Sequence, residues 1–270
     1  MNISVENVRQ VWAGRAGSEV VALAGFSHHF RSGKFSCILG PSGCGKSTLA
    51  QIVGGLEKAT SGTVTIDHPG EPGRVVPLGS QSVMVWQNQN LFPWRTIVEN
   101  VAFGLQMSGM PLAERTERAM NLIASVGLKG FEKHFPPQLS GGMRQRAALA
   151  RALIMDRPVL LMDEPFGALD AQTKIVMQEE LLKIFEATRK TVIFVTHSID
   201  EAILLGDEVV VMTARPGRIK EVIPVDLPRP RSFDLVSTPE FGKLFDRAFH
   251  LIRDEVTKAM MEMNQPGGAS

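Results

Sequence analysis

Residues Gly40-Pro41-Ser42-Gly43-Cys44-Gly45-Lys46-Ser47-Thr48 stand between an apolar, β-rich run, Phe35 to Leu39, and an apolar helical pattern. A strand that passes into a helix through such a loop is the setting of a phosphate-binding loop, and it commits this part of the chain to a sheet packed against helices. Glycines at both ends let the backbone curl until successive N–H groups point inward, which makes an anion nest at the positive end of the following helix. Lys46 adds a mobile full charge for the β- and γ-phosphates, Ser47 is the hydroxyl expected on Mg²⁺, and Thr48 supports the α/β-phosphate region. The run is therefore expected to hold a nucleoside triphosphate. A glycine-rich turn without a ligand is the competing reading, and the strand-loop-helix context disfavours it.

A second acidic element complements the loop. Val159-Leu160-Leu161-Met162 is apolar at every position, as a central parallel strand covered on both faces must be, and it ends in Asp163-Glu164. Ligands in open α/β sheets bind beyond the carboxyl ends of strands, so Asp163 and the loop should converge on one metal ion. Glu164, one residue further, would face the γ-phosphate and take the proton of an attacking water.

The remaining pattern sets the architecture. Stretches near Ile3–Val11, Val20–Phe30 and Gly62–Ile66 read as strands of an antiparallel β layer, with turns at Gly14-Arg15-Ala16-Gly17 and Pro69-Gly70-Glu71-Pro72-Gly73. From Ile97 to Ile154 the periodicity is helical, with Leu112, Ala119, Leu122, Ile123 and Val126 on one stripe. Short apolar runs at Val159–Met162, Thr191–Val195 and Glu208–Thr213 then alternate with helices near Ala171–Thr188 and Ile199–Leu205, which implies a mostly parallel sheet. Pro228-Arg229-Pro230-Arg231 reads as a stiff exposed linker. After it, Phe241, Leu244, Phe245, Ala248, Phe249, Ile252, Val256, Ala259, Met260 and Met263 share a helical face expected to dock on the same chain. Gln265 to Ser270, rich in small residues, should fray.

Charge and composition exclude several classes. With 29 basic against 28 acidic residues and no long basic run, nucleic acid is not an expected partner. No apolar stretch is long enough to span a bilayer, and the start, Met1 to Glu6, lacks a basic region followed by an apolar segment, so the expectation is a chain kept in the cytosol. Its two cysteines, Cys37 and Cys44, have neither metal-site spacing nor a disulfide pattern and read as packing residues.

Between Gln87 and Asp163 stands Leu139-Ser140-Gly141-Gly142-Met143-Arg144-Gln145-Arg146, heading a helix through Ile154. Ser140 offers a hydroxyl, Gly141 and Gly142 expose backbone N–H groups, and the helix dipole favours negative charge: a second anion site. This segment is similar to the signature of the ATP-binding cassette (ABC) family, and with the phosphate loop and Asp163-Glu164 in the same order the resemblance covers essentially the whole chain. It implies one P-loop cassette over 1–270, an α/β fold with a mostly parallel central sheet, an amino-terminal antiparallel β layer and an inserted helical subdomain at about 88–157, followed by a carboxyl-terminal linker and helix at about 228–264.

The resemblance also implies site roles. The signature meets the nucleotide of a second cassette, so Ser140, Gly141, Gly142 and Met143 would contact ATP across a head-to-tail homodimer. Gln87 resembles the glutamine that ligates Mg²⁺ together with Ser47 and Asp163, Asp170 the residue of the segment that crosses the dimer interface, and His197 the switch histidine at the γ-phosphate. Trp12 is the expected adenine platform, because the chain has no tyrosine. Two departures from the family pattern are Met143, where glutamine is commonest and whose thioether cannot reproduce the amide's hydrogen bonds, and Ser198, where an acid is often found.

Leu91-Phe92-Pro93-Trp94-Arg95-Thr96-Ile97-Val98-Glu99-Asn100 and Met212-Thr213-Ala214-Arg215-Pro216-Gly217-Arg218-Ile219 resemble the nitrate, sulfonate and taurine importer branch. That likeness implies an ATP-hydrolysing subunit on the cytoplasmic face of the inner membrane, a peripheral protein serving two membrane-spanning permease subunits and an extracytoplasmic solute-binding protein. Phe92 and Trp94 would anchor a permease helix. The alternative is a soluble cassette ATPase that remodels a macromolecular assembly.

Overall fold

The computed structural model describes residues 1–14, 18–68, 70–167 and 169–263. Arg15 to Gly17 of one expected turn, Pro69 of the other, Ala168 and the small-residue end Gln265–Ser270 lie outside the described residues. The strands form two sheets, and along the chain Phe35–Leu39 of the second is inserted between Glu19–Phe30 and Ser61–His68 of the first. Strands β1 (Ile3–Ala13), β2 (Glu19–Phe30), β4 (Ser61–His68) and β5 (Glu71–Val76) form an antiparallel sheet in the order β2-β1-β4-β5. The second sheet runs β10-β9-β3-β8-β7-β6, from β3 (Phe35–Leu39), β6 (Ser82–Val85), β7 (Val159–Asp163), β8 (Thr191–Thr196), β9 (Glu208–Met212) and β10 (Ile219–Pro224).

Every residue of β3, β7 and β8 is buried, which is why their sequences are predominantly apolar with no regular polar alternation. Both faces of the sheet are covered. One carries α5 (Ala171–Thr188), α6 (Ile199–Leu205) and α7 (Pro239–Met263), with Phe35, Phe185, Phe194 and Phe241 in the core between them. The other packs Ile38, Leu161 and Ile193 against α1 (Lys46–Val53) and the antiparallel sheet through Leu49, Phe26 and Ile3. Helices α2 (Ile97–Met107), α3 (Leu112–Ser125) and α4 (Gly141–Leu153) enclose a third apolar cluster around Ile97, Val101, Ile123 and Ala147.

The parallel core β9-β3-β8-β7-β6 has the expected sense, and β10 adds an antiparallel edge that periodicity did not disclose. Pro224 is tolerated there because an edge strand can leave a position without a donor. The stripe on α7 docks through Phe241, Leu244, Phe245, Ala248 and Ile252, whereas Phe249 and Met260 stay exposed.

The exposed linker expected at Pro228 to Arg231 needs correction. The prolines face solvent, but Arg231 is buried and donates to the carbonyl oxygens of Ile203, Leu204, Gly206, Val225 and Leu227 at 2.6–3.2 Å. Arg229 pairs with Asp207 at 3.0 Å, donates to the Leu205 carbonyl and lies 4.6 Å from the Phe185 ring. The physical cause is the end of α6, whose last carbonyls have no partner within the helix and take two planar cations instead. Burial draws the Arg231 pKa down to about 10, with the neighbouring Arg229 charge adding to it, so the group is still charged near neutrality. Arg231→Met strands several buried carbonyls and is expected to cost about 3 kcal/mol, lowering the unfolding midpoint by roughly 6–12 °C in a thermal melt. A midpoint within 1–2 °C of the parent would show that water replaces the guanidinium.

Candidate functional site

The order β9-β3-β8-β7 sets three parallel neighbours side by side, so the loops leaving β3, β8 and β7 emerge at one edge. The phosphate loop follows β3, His197 follows β8, and Asp163-Glu164 closes β7. The loop, Glu164 and His197 border a cleft of about 470 Å³ that also takes in Trp12, Gln87 and Arg215, with Asp163 joined to it through Ser47.

Within the loop, Gly45 has φ +100°, and a Cβ there would lie 2.8 Å from the Ala22 carbonyl oxygen, so the position requires glycine. Lys46 is buried, and its ammonium donates to the carbonyls of Gly40 at 2.8 Å and Pro41 at 2.9 Å. The charge expected to be mobile is thus held by the loop's own carbonyls, with which a phosphate would compete. Both cysteines are buried free thiols, Cys44 tucked under the loop, and burial raises their pKa values.

Ser47 Oγ donates to Asp163 Oδ1 at 2.9 Å, joining the loop to the end of β7. Burial pushes the Asp163 carboxyl up; the Ser47 bond opposes this, the Glu164 charge adds to it, and Lys46 counters it. A desolvated carboxylate beside a hydroxyl, with the Gln87 amide on the same cleft, is a set of hard oxygen donors suited to Mg²⁺. Among the described residues no group of three or more His, Cys, Asp or Glu could hold a metal by itself.

Glu164 leaves the strand at φ +45°, its N–H donating to the Val195 carbonyl at 2.9 Å. The turn carries its carboxylate to His197, with Oε2 3.0 Å from Nδ1. Trp12 is partly exposed on the cleft beside Val20 and Ala22, whereas Phe26 and Phe30, the other aromatics of this layer, are fully buried in the core.

The signature residues lie elsewhere. Ser140 caps α4, its Oγ accepting from the Met143 N–H at 3.3 Å, and none of Ser140, Gly141, Gly142 or Met143 lines the cleft. Met143 packs on the apolar cluster of the helical segment, which accounts for a thioether there. Beside the signature, a Cβ on Gly142 would come within 3.3 Å of Leu169 and 3.7 Å of Thr173, next to Asp170. Asp170 caps α5 by accepting from the Thr173 N–H at 3.0 Å, and that bond holds its exposed carboxyl below the usual range. Two exposed helix N-termini therefore lie together, away from the chain's own cleft.

Arg215 was not singled out as a site residue from the sequence. Its Nε and Nη2 lie 3.3 and 3.2 Å from the Gly43 carbonyl oxygen. Gly217 packs so closely that a Cβ would meet the Cys44 carbonyl oxygen at 2.1 Å. No local pattern marks it: β9 pairs directly with β3, and that pairing, which strand order alone decides, is what runs the loop after β9 beside the phosphate loop.

Comparison with known proteins follows the same lines. The sequence pattern of the ABC transporter family matches residues 23–167. An uncharacterized ABC transporter ATP-binding protein of Methanocaldococcus jannaschii is 46% identical over 96% of this chain and 94% of its own length. A nitrate import ATP-binding protein of Synechocystis sp. is 40% identical over 96% and 97%, and a taurine import ATP-binding protein of Yersinia pestis is 45% identical over 80% and 82%. Among solved structures, a dimeric post-hydrolysis state of an ATP-binding cassette bound to ADP and Pi superposes with a TM-score of 0.74 at 31% identity, covering 84% of this chain and all of that one.

Proposed function

The chain belongs to the ABC transporter family and is an ATPase of the cassette type, and we propose that it is the ATP-hydrolysing subunit of an importer for a small solute of the nitrate, sulfonate or taurine kind. Single-cassette organisation over 1–270, with its helical subdomain at about 88–157, is part of this reading.

The backbone nest of residues 40–48 binds the phosphates, and Lys46 exchanges its loop carbonyls for phosphate oxygens. Ser47, Gln87 and Asp163 would hold Mg²⁺, which supplies charge neutralisation on the β- and γ-phosphates. Trp12 stacks on adenine. Glu164 Oε2 accepts the proton of the attacking water, and His197, 3.0 Å away, orients that carboxylate and faces the γ-phosphate. Ser140, Gly141, Gly142 and Met143, with Asp170, complete the cleft of a second copy. The observation that carries this reading is the division of equipment: the loop, Glu164 and His197 share one cleft that the signature does not reach. Two such chains placed head to tail complete both sites.

No helix among the described residues is long and apolar enough to cross a membrane, which suits a peripheral subunit working with separate permeases and a solute-binding protein. Trp94, 72% exposed, borders a groove with Val98, Leu112 and Arg115, and Phe92 supports it from a 5.7 Å ring contact. This groove suits a permease helix.

Turnover per chain is expected to rise with protein concentration until the pair forms, and affinity-tagged chain should co-purify a multi-spanning membrane protein. Concentration-independent hydrolysis by a monomer would overturn the shared-site reading. Recovery of ribosomes or assembly factors would overturn the importer.

A further inference from the structure

Glu201, in the first turn of α6, is only 4% exposed and lies outside the cleft. A carboxylate desolvated to that degree is tolerated only with a cation and a full set of hydrogen bonds, and its partners here come from two other elements. Oε2 accepts from the Thr196 hydroxyl at the end of β8. Oε1 takes the Lys174 ammonium at 2.8 Å and the Gln178 amide at 3.4 Å, both from α5. Thr196 Oγ1 in turn accepts from the Ser198 N–H at 3.0 Å. Thr196 and Ser198 flank His197, so this carboxylate restrains the main chain on both sides of the imidazole. On the α5 side, the Lys174 N–H donates to the Asp170 carbonyl at 2.9 Å. An unbroken chain of bonds therefore runs from Asp170 through Lys174 and Glu201 to the His197 loop.

We propose that Glu201 is a positioning residue for ATP hydrolysis: its ion pair with Lys174 and its bond to Thr196 hold His197 against the Glu164 carboxylate and tie that contact to the segment carrying Asp170. The inference rests on the reading of Glu164 and His197 given above. Catalytic geometry is intolerant of displacement, and a shift of about 1 Å can cost about 10²-fold in rate. A helix cap alone would not require a cation from α5; the Lys174 pair spans two elements, and that span is what the proposal uses.

The test is a double-mutant cycle on the full chain. Glu201→Gln keeps the side chain's size but loses the charge. It is expected to lower kcat roughly 10- to 100-fold while leaving ATP affinity, measured by direct binding, within about twofold. In a His197→Ala background the same substitution should produce no further fall, because its effect runs through His197. The His197 imidazole resonance, identified by its loss in His197→Ala, should move in Glu201→Gln while that of His28 does not. Equal factors in both backgrounds, or an unmoved His197 signal, overturn the proposal; the signal decides if His197→Ala has no measurable turnover. Should Glu201→Gln fail to fold, Lys174→Met at its half-exposed site must show the same coupling at smaller amplitude, and a Lys174→Met chain with parental kcat and an unmoved signal overturns it equally. Parental turnover in Glu201→Gln beside an inactive Glu164→Gln removes this inference alone, whereas parental turnover in Glu164→Gln removes the reading beneath it.

Discussion

Glu164→Gln is expected to bind ATP with near-parental affinity and to hydrolyse it about 10²- to 10⁴-fold more slowly, leaving a nucleotide-bound pair that elutes at twice the chain's mass. The amide keeps the size of the carboxylate and can still face His197 Nδ1, now 3.0 Å from Oε2, but it cannot accept the proton that water must lose. The backbone at this position, with φ +45°, is no harder for glutamine than for glutamate, so the fold is not expected to suffer. Binding survives because the phosphate nest, Lys46 and Ser47 are untouched. Single-turnover hydrolysis and light scattering in ATP and Mg²⁺ provide the measurement, and unchanged turnover would remove Glu164 from the base role.

Lys46→Ala should act at the earlier step. The ammonium is the one full positive charge inside the loop, and deleting it removes charge-assisted bonds to phosphate worth about 1.5–3 kcal/mol, a weakening of ATP binding by about 10- to 150-fold. It also frees the Gly40 and Pro41 carbonyls, which the ammonium now holds at 2.8 and 2.9 Å. Equilibrium titration with ATP distinguishes the outcomes: a parental dissociation constant would mean that the nucleotide does not lie on this loop. The two substitutions separate binding from chemistry, since one is expected to weaken the ATP affinity that the other preserves.

Much of this organisation was legible along the chain because it is written in local periodicity. Phe35–Leu39, Val159–Asp163 and Thr191–Thr196 are apolar at almost every position, and only strands buried on both faces have that pattern. The helices of Ile97 to Ile154 were equally plain from their 3.6-residue stripes, whereas the capping bonds of Ser140 on α4 and Asp170 on α5 emerged only in the structure. The edge strand β10 was missed because Ile219–Pro224 is half-buried on both sides and carries no clean alternation. The linker at Pro228 to Arg231 was misjudged because prolines beside arginines read as solvated, and nothing local announces the open carbonyl end of α6 that receives them.

The sequence by itself determined the loop, the acidic pair and the succession of strands and helices, since each depends on neighbours a few residues away: glycine for a tight curl, apolar runs for burial, capping side chains for helix starts. Only the tertiary structure decided that β8 lies between β3 and β7, which brings His197 to Glu164 across 33 positions of sequence, and that β9 pairs with β3, which lays Arg215 on the phosphate loop. Strand order follows from how the entire core packs and from the crossovers that connect it, and no window of residues contains that balance.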